Sequence, residues 1–181
     1  MRAAIAVSVA FIAAGCTRDA AAPICPDVAV GELVVSEIHD DHGTAWIEVY
    51  NASGRELDLE GTRVRFRKID GTSEIAALVR RELVVPAAGY VVLGYATEDS
   101  RPSYVDYGFA GDWHDASWLD SAAVDVEACG ARVDRVLYSG LPTPGSYALG
   151  TTPPTADDND LPARWCSDPV GSPQQANPPC P

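Results

Sequence analysis

Between Leu33 and Phe66 the chain reads LVVSEIHDDHGTAWIEVYNASGRELDLEGTRVRF, with apolar residues returning at every second position. Period two is the spacing of a strand, whose successive side chains point to opposite faces. In Leu33–Ile38, residues Val34, Ser36 and Ile38 fall on one face and Leu33, Val35 and Glu37 on the other. Both faces are partly apolar, which predicts a strand covered on both sides for some of its length. His39–Thr44 is polar, contains Gly43, and reads as a loop. In Trp46–Tyr50, Ile47 and Val49 alternate with Trp46, Glu48 and Tyr50. The expectation is Ile47 and Val49 in the core, with the aromatics capping an edge or the second face. Asn51–Gly54 is a turn cluster, after which Leu57 and Leu59 project to one side.

A second signal fixes a register. Asp70-Gly71 lies between two alternating runs, the signature of a type I′ hairpin. With those two residues as the loop, Phe66 falls opposite Ile75, Val64 opposite Ala77, and Arg67 opposite Glu74. Apolar meets apolar and opposite charges meet, as cross-strand packing prefers. Glu82–Val85 and Tyr90–Leu93 read as two further short strands around the turn Pro86–Gly89. Thr97–Ser121 is irregular and reads as a long loop with one short strand near Trp118. Ala123–Glu127 and Val133–Tyr138 predict another hairpin around Cys129-Gly130. Ten of the fourteen prolines lie beyond Leu141, so few regular elements are expected there, Tyr147–Leu149 as a last edge strand among them. Many short strands between frequent turns predict an all-β antiparallel sandwich with a Pro-rich tail.

The first fifteen residues do not fit that core. Arg2 provides a positive start, and Ala3–Ile12 is apolar but too short to span a bilayer as a helix. The run ends in Ala13-Ala14-Gly15-Cys16, which resembles the lipobox of bacterial lipoproteins and marks Cys16 for lipidation. The plain alternative is a secretory signal cleaved nearby. The expected organisation is a signal peptide over 1–15, a lipidated Cys16 and tether over 16–31, and one sandwich domain over 32–181. Thr17 after the cysteine favours, by resemblance, an outer-membrane position in a bacterial envelope. From Thr17 to Ile24 the tether reaches only about 26 Å, so the domain lies close to its membrane.

Losing Met1–Gly15 removes Arg2 from 13 basic residues, leaving 12 against 26 acidic ones, formally −14. Such a field repels phosphate backbones, so no nucleic-acid partner is expected. Beyond Cys16 four cysteines remain, Cys25, Cys129, Cys166 and Cys180, an even count that reads as two disulfides in an exported chain. Three connectivities are open. Cys25–Cys180 with Cys129–Cys166 is the favoured one, because it ties the two ends together and the tail to a late strand.

The segments Leu33–Ile38 (LVVSEI), Trp46–Asn51 (WIEVYN) and Leu57–Gly61 (LDLEG) together resemble the bacterial lamin-tail domain family. Gly89–Gly94 (GYVVLG), Val133–Tyr138 (VDRVLY), Trp165-Cys166 and Gly171–Asn177 (GSPQQAN) extend the likeness from about Glu32 to Asn177. Trp46, Thr62 and Gln174 depart from the family pattern, Gln174 standing where a glycine is usual. The resemblance implies an immunoglobulin-like sandwich and no catalytic residues.

Four clusters have chemical potential. Glu37, His39, Asp41 and His42, with Asp40 and Glu48 nearby, place imidazoles and carboxylates densely enough for zinc, and an enzyme built on both histidines is conceivable; a solvated loop is the plainer reading. Asp157, Asp158 and Asp160 offer hard oxygens suited to calcium, without EF-hand spacing. Arg63, Arg65 and Arg67 line one face of a strand and suit an anionic protein or polysaccharide, or simply guard a solvent face. Trp113 and Trp118 offer a platform for sugar rings or cover for the core. No Gly-x-Ser-x-Gly elbow, P-loop or HExxH helix appears. The leading expectation is a non-enzymatic, lipid-anchored binding or scaffold protein without a cofactor; a metal- or calcium-dependent carbohydrate-binding module is the alternative.

Overall fold

The computed structural model describes residues 22–40, 45–68, 74–112 and 123–181. Its strands are β1 (Leu33–His39), β2 (Trp46–Asn51), β3 (Leu57–Asp58), β4 (Arg63–Arg67), β5 (Glu74–Leu78), β6 (Val84–Val85), β7 (Tyr90–Gly94), β8 (Tyr107–Gly108), β9 (Ala123–Ala128), β10 (Ala131–Leu137), β11 (Ser146–Leu149) and β12 (Trp165–Asp168). A one-turn helix, α1 (Ala156–Asn159), interrupts the proline-rich tail. One sheet runs β12-β11-β1-β2-β7-β8, a second runs β10-β9-β4-β5, and β3 pairs with β6 alone. All pairings are antiparallel except β7 with β8. The fold is an all-β sandwich, as the strand pattern predicts.

Between the two sheets lies one apolar core, holding Leu33, Val35, Ile38, Ile47 and Val49 from β1 and β2 and Val64, Phe66, Val124, Val126 and Val136 from the facing strands. Every residue of β1 and β2 is buried, so both faces of this central pair are covered. The alternation in β1 is not strict, however. The register of β1 on β2 slips between Val35 and Glu37, leaving Ser36 as an extra bulged residue. Ile38 pairs with Ile47 and Val35 with Val49, so Ile38 shares a face with Val35 rather than with Val34.

The bulge has a partner. On β10 the register also slips, between Arg132 and Asp134, and Asp134 Oδ2 accepts the Val35 N–H at 2.8 Å across the two sheets. Asn159, on α1, donates to the same oxygen at 2.7 Å, and its carbonyl accepts Trp165 Nε1 at 2.8 Å. Thr155 caps the helix that carries Asn159 inward, its Oγ1 accepting the Asp158 N–H. Asn159→Ala removes a donor from this network and is expected to cost about 1–3 kcal/mol in urea unfolding. A change within a few tenths of a kcal/mol would show that the bridge is idle.

The β4–β5 register agrees with the Asp-Gly reading: Phe66 lies opposite Ile75, Val64 opposite Ala77, and Arg67 opposite Glu74. The turn itself falls outside the described residues, as do Cys16, the signal segment and the strand expected near Trp118. β9 and β10 meet at Cys129 and Gly130, which both take the positive φ that a type I′ turn needs (52° and 78°).

Besides the faces of β1, three expectations are corrected. His39 ends β1 instead of opening a loop, because it pairs with both Trp46 and Ser146. Tyr147–Leu149 belongs to an internal strand, since β12 adds outside it. The disulfides are Cys25–Cys129, with Cα atoms 5.1 Å apart, and Cys166–Cys180, at 5.7 Å, instead of Cys25–Cys180 and Cys129–Cys166. The reason is topological. Residues 23–25 pass over the end of the four-stranded sheet where Cys129 turns, and the tail folds back on β12, which carries Cys166.

Candidate functional site

Glu37 and Glu48 face each other across β1 and β2, and both are fully buried. Two carboxylates inside a sheet are costly unless each oxygen finds donors. Here the donors come from residues 171–177, laid over the outer face of the six-stranded sheet. Gln174 N–H donates to Glu48 Oε2 at 2.6 Å, and Ser36 Oγ donates to Oε1 at 2.8 Å. Ser172 N–H donates to both oxygens of Glu37, at 3.3 and 3.2 Å. Asn177 fastens the far end, its Nδ2 donating to Ser36 O at 2.7 Å and to Leu149 O at 3.3 Å, while its Oδ1 accepts Ser172 Oγ at 2.6 Å. The segment is a strap whose backbone is held by acids rising from the strands beneath it.

Close approach explains two residues of the strap. A Cβ on Gly171 (φ 79°) would sit 2.8 Å from Ser146 Oγ and 3.0 Å from Glu37 Oε1, so only glycine fits. Gln174 has φ 64°, the left-handed region, at a position where the resembled pattern carries glycine. Burial pushes both acids up: Glu37 rises above the ordinary carboxylate range, and Glu48 rises to about 8, aided by the charge of Glu37. His39 is also part of this layer. Its ring stacks on Trp46 at 5.0 Å and its Nδ1 lies 2.8 Å from Ser146 Oγ.

The four candidate clusters therefore fare differently. Glu37 and His39 are brought together with Glu48, but within a buried layer that serves the strap; Asp41 and His42 lie outside the described residues. Asp158 shares a hydrogen bond with Thr155 Oγ1 and an ion pair with Arg164, while Asp157 and Asp160 stand exposed on the helix and its C-cap. Among the described residues, no three His, Cys, Asp or Glu side chains are grouped so as to hold a metal ion. Trp113 and Trp118 lie outside the described residues.

The arginine row is largely internalised by charge. Arg65 pairs with Glu74 and, through Nε, with Glu127 Oε2 at 2.6 Å. Arg67 reaches Glu74 at 3.1 Å and Glu127 at 3.3 Å; its Nε is 2.7 Å from Asp125 but off the hydrogen-bond line, an ion pair without a directional bond. Arg135 Nη2 donates to Asp125 Oδ2 at 2.7 Å. Burial works to raise Asp125, but the Arg135 hydrogen bond and the charges of Arg135, Arg67 and Arg132 outweigh it and hold its carboxyl below the ordinary value. The outer face of β5-β4-β9-β10 is thus a lattice of alternating charge, which leaves Arg65 and Arg67 little capacity for an external anion. Arg63 differs: exposed, its side chain makes no hydrogen bond or ion pair among the described residues.

Arg63 borders a groove of about 390 Å³ at the end of the four-stranded sheet. Residues 23–25 and the Cys25–Cys129 disulfide form one wall, and Leu78, Val79 and Gly61 form the other. Sequence reasoning missed both the strap and the groove. The Gly171–Asn177 motif was the available signal for the first; nothing local signals the second, because its walls lie far apart in the chain. No family model matches the chain, and no curated protein matches it.

Proposed function

We propose that the chain is a lipid-anchored protein of a bacterial cell envelope whose single lamin-tail-like sandwich serves as a non-catalytic binding or scaffold module. The observation that carries this reading is the use made of the strongest chemical groups. Glu37 and Glu48 are buried and engaged in holding the strap, and His39 is buried beside them against Trp46 and Ser146, an arrangement that stabilises a shape instead of presenting an acid, a base or a ligand set to solvent. The resemblance adds support, because its LVVSEI, WIEVYN and GSPQQAN segments meet in this one layer. The acidic excess, a formal charge of −13 over the whole chain, favours partners other than nucleic acid.

Anchorage is tested through Cys16. In cells fed labelled palmitate, the parent chain is expected to carry label and to sediment with membranes, and the Cys16→Ser chain to lose both. Label that persists on the serine variant would end the lipoprotein reading.

A further inference from the structure

The groove beside the Cys25–Cys129 disulfide has features of a built site. Its volume of about 390 Å³ lies in the range of about 300–1,000 Å³ common for small-molecule pockets. Its walls are mostly apolar, from Pro23, Ile24, Leu78 and the disulfide, with Arg63 at one side. The wall formed by residues 23–25 is fixed in place. Ile24 O sits where a Cβ on Gly61 would come within 2.3 Å of it, and the disulfide ties the next residue to the β9–β10 turn.

The ligand class follows from what is free and what is not. Backbone groups along the groove already have partners: Gly61 N–H donates to Val79 O, Val79 N–H to Thr62 O, and Leu78 N–H to Asp112 Oδ2. An extended peptide would find no ladder to join there. Arg80 is held by Asp112 at 2.6 Å, and Glu127 by Arg65 and Arg67. Of the two arginines lining the groove, Arg63 is the one whose guanidinium is uncommitted among the described residues, suited to two oxygens of one carboxylate. Glu60 and Glu127 line the same groove, so the repulsion a head group meets there grows with its negative charge and a single charge is favoured over two.

We infer that this groove binds an aliphatic monocarboxylate, its chain along Pro23, Ile24 and Leu78 and its head on Arg63. The inference deepens the binding-module reading and rests on it, but not on lipid attachment, so the palmitate experiment and the one below fail independently.

Decanoate, below its micelle concentration, is the probe, titrated calorimetrically into the full-length chain, with decan-1-ol and decyl phosphate as comparisons. Saturable binding near one equivalent is expected for decanoate, with both comparison compounds weaker. Arg63→Ala, at an exposed position, is expected to weaken decanoate by about tenfold or more, the loss of one charge-assisted contact, while leaving decan-1-ol unchanged. Ile24→Asp, on the opposite wall and also exposed, is expected to weaken decanoate and decan-1-ol alike. No saturable binding, decanoate unaffected by Arg63→Ala, or decan-1-ol binding as tightly as decanoate would each overturn the assignment.

Discussion

Replacing Cys25 and Cys129 together by serine is expected to lower the unfolding free energy by about 4–5 kcal/mol, the chain-entropy value for a loop of this length. The two cysteines are 104 residues apart in sequence, so their bond restricts most of the unfolded domain. Cys166 and Cys180 are only 14 apart, and the matching serine pair is expected to cost about 3 kcal/mol. The order of the two losses is the discriminating result, read from urea unfolding of oxidised parent and variants. A larger loss from the Cys166/Cys180 pair would mean that native contacts of the tail, not restriction of the unfolded chain, dominate. The first variant also frees the wall of the groove, so decanoate binding and stability are expected to fall together there. In Arg63→Ala, binding alone is expected to fall.

Local pattern carried the strands, because strands announce themselves through period two and turn chemistry. Val64, Phe66, Ile75 and Ala77 pair as the Asp-Gly position requires, since a tight turn leaves one register that keeps apolar side chains on the core side. The bulge at Ser36 shows where this logic stops. Its cause is Asp134, 99 residues from the Val35 amide it accepts, and no local window contains both. β12 was hidden for a related reason. Trp165–Asp168 is short and follows a proline-rich stretch, and it becomes a strand because β11 offers it an edge and Cys180 pins its second residue.

The candidate site was half legible. Glu37 and Glu48 are conspicuous in their strands as charges among apolar residues, and conspicuous charge invites a functional reading. What turns them into structural groups is Gly171–Asn177, a glycine-led segment more than 120 residues downstream of Glu48 whose amides have no obvious destination in sequence. The arginine row misleads in the opposite direction. Alternation put Arg63, Arg65 and Arg67 on one face, but the acids that engage two of them stand on β5 and β9, so only the assembled sheet reveals Arg63 as the uncommitted member.

Those same acids set the second large effect, a stability that falls as pH rises through neutrality. Glu48 is protonated in the folded chain up to about pH 8, against an ordinary value of 4.5. Between these values the folded state binds a proton that the unfolded state has released, so unfolding free energy decreases with rising pH. Glu37, raised by the same burial, adds to the slope, and Asp134, raised to about 6, adds to its lower part. Facing this pair are Ser36 and Ser146, the Ser172 and Gln174 amides, Asp168 beside Glu37, and Tyr90, itself raised to about 12 by burial and then by the charge of Glu48. None of these supplies a cation; His39, whose Nδ1 meets Ser146 Oγ in the same layer, is the further titratable group there, and the Glu48→Gln comparison isolates the slope due to Glu48. Asp125 and Glu98 act oppositely: both are held below their ordinary values by arginines against the pull of burial, and their contribution is lost as pH falls through those lowered values. The expected profile peaks near pH 5, falls by a few kcal/mol toward pH 8, and also falls in strong acid. Glu48→Gln mimics the neutral acid, its amide nitrogen meeting Ser36 Oγ and its oxygen keeping the Gln174 N–H. It is expected to match the parent at pH 5, to exceed it at pH 8, and to lose most of the slope between, the remainder belonging to Glu37 and Asp134. A parent whose stability is flat or rising from pH 5 to 8, or a glutamine variant with the full slope, would mean that the acids beneath the strap ionise freely and that burial does not govern them.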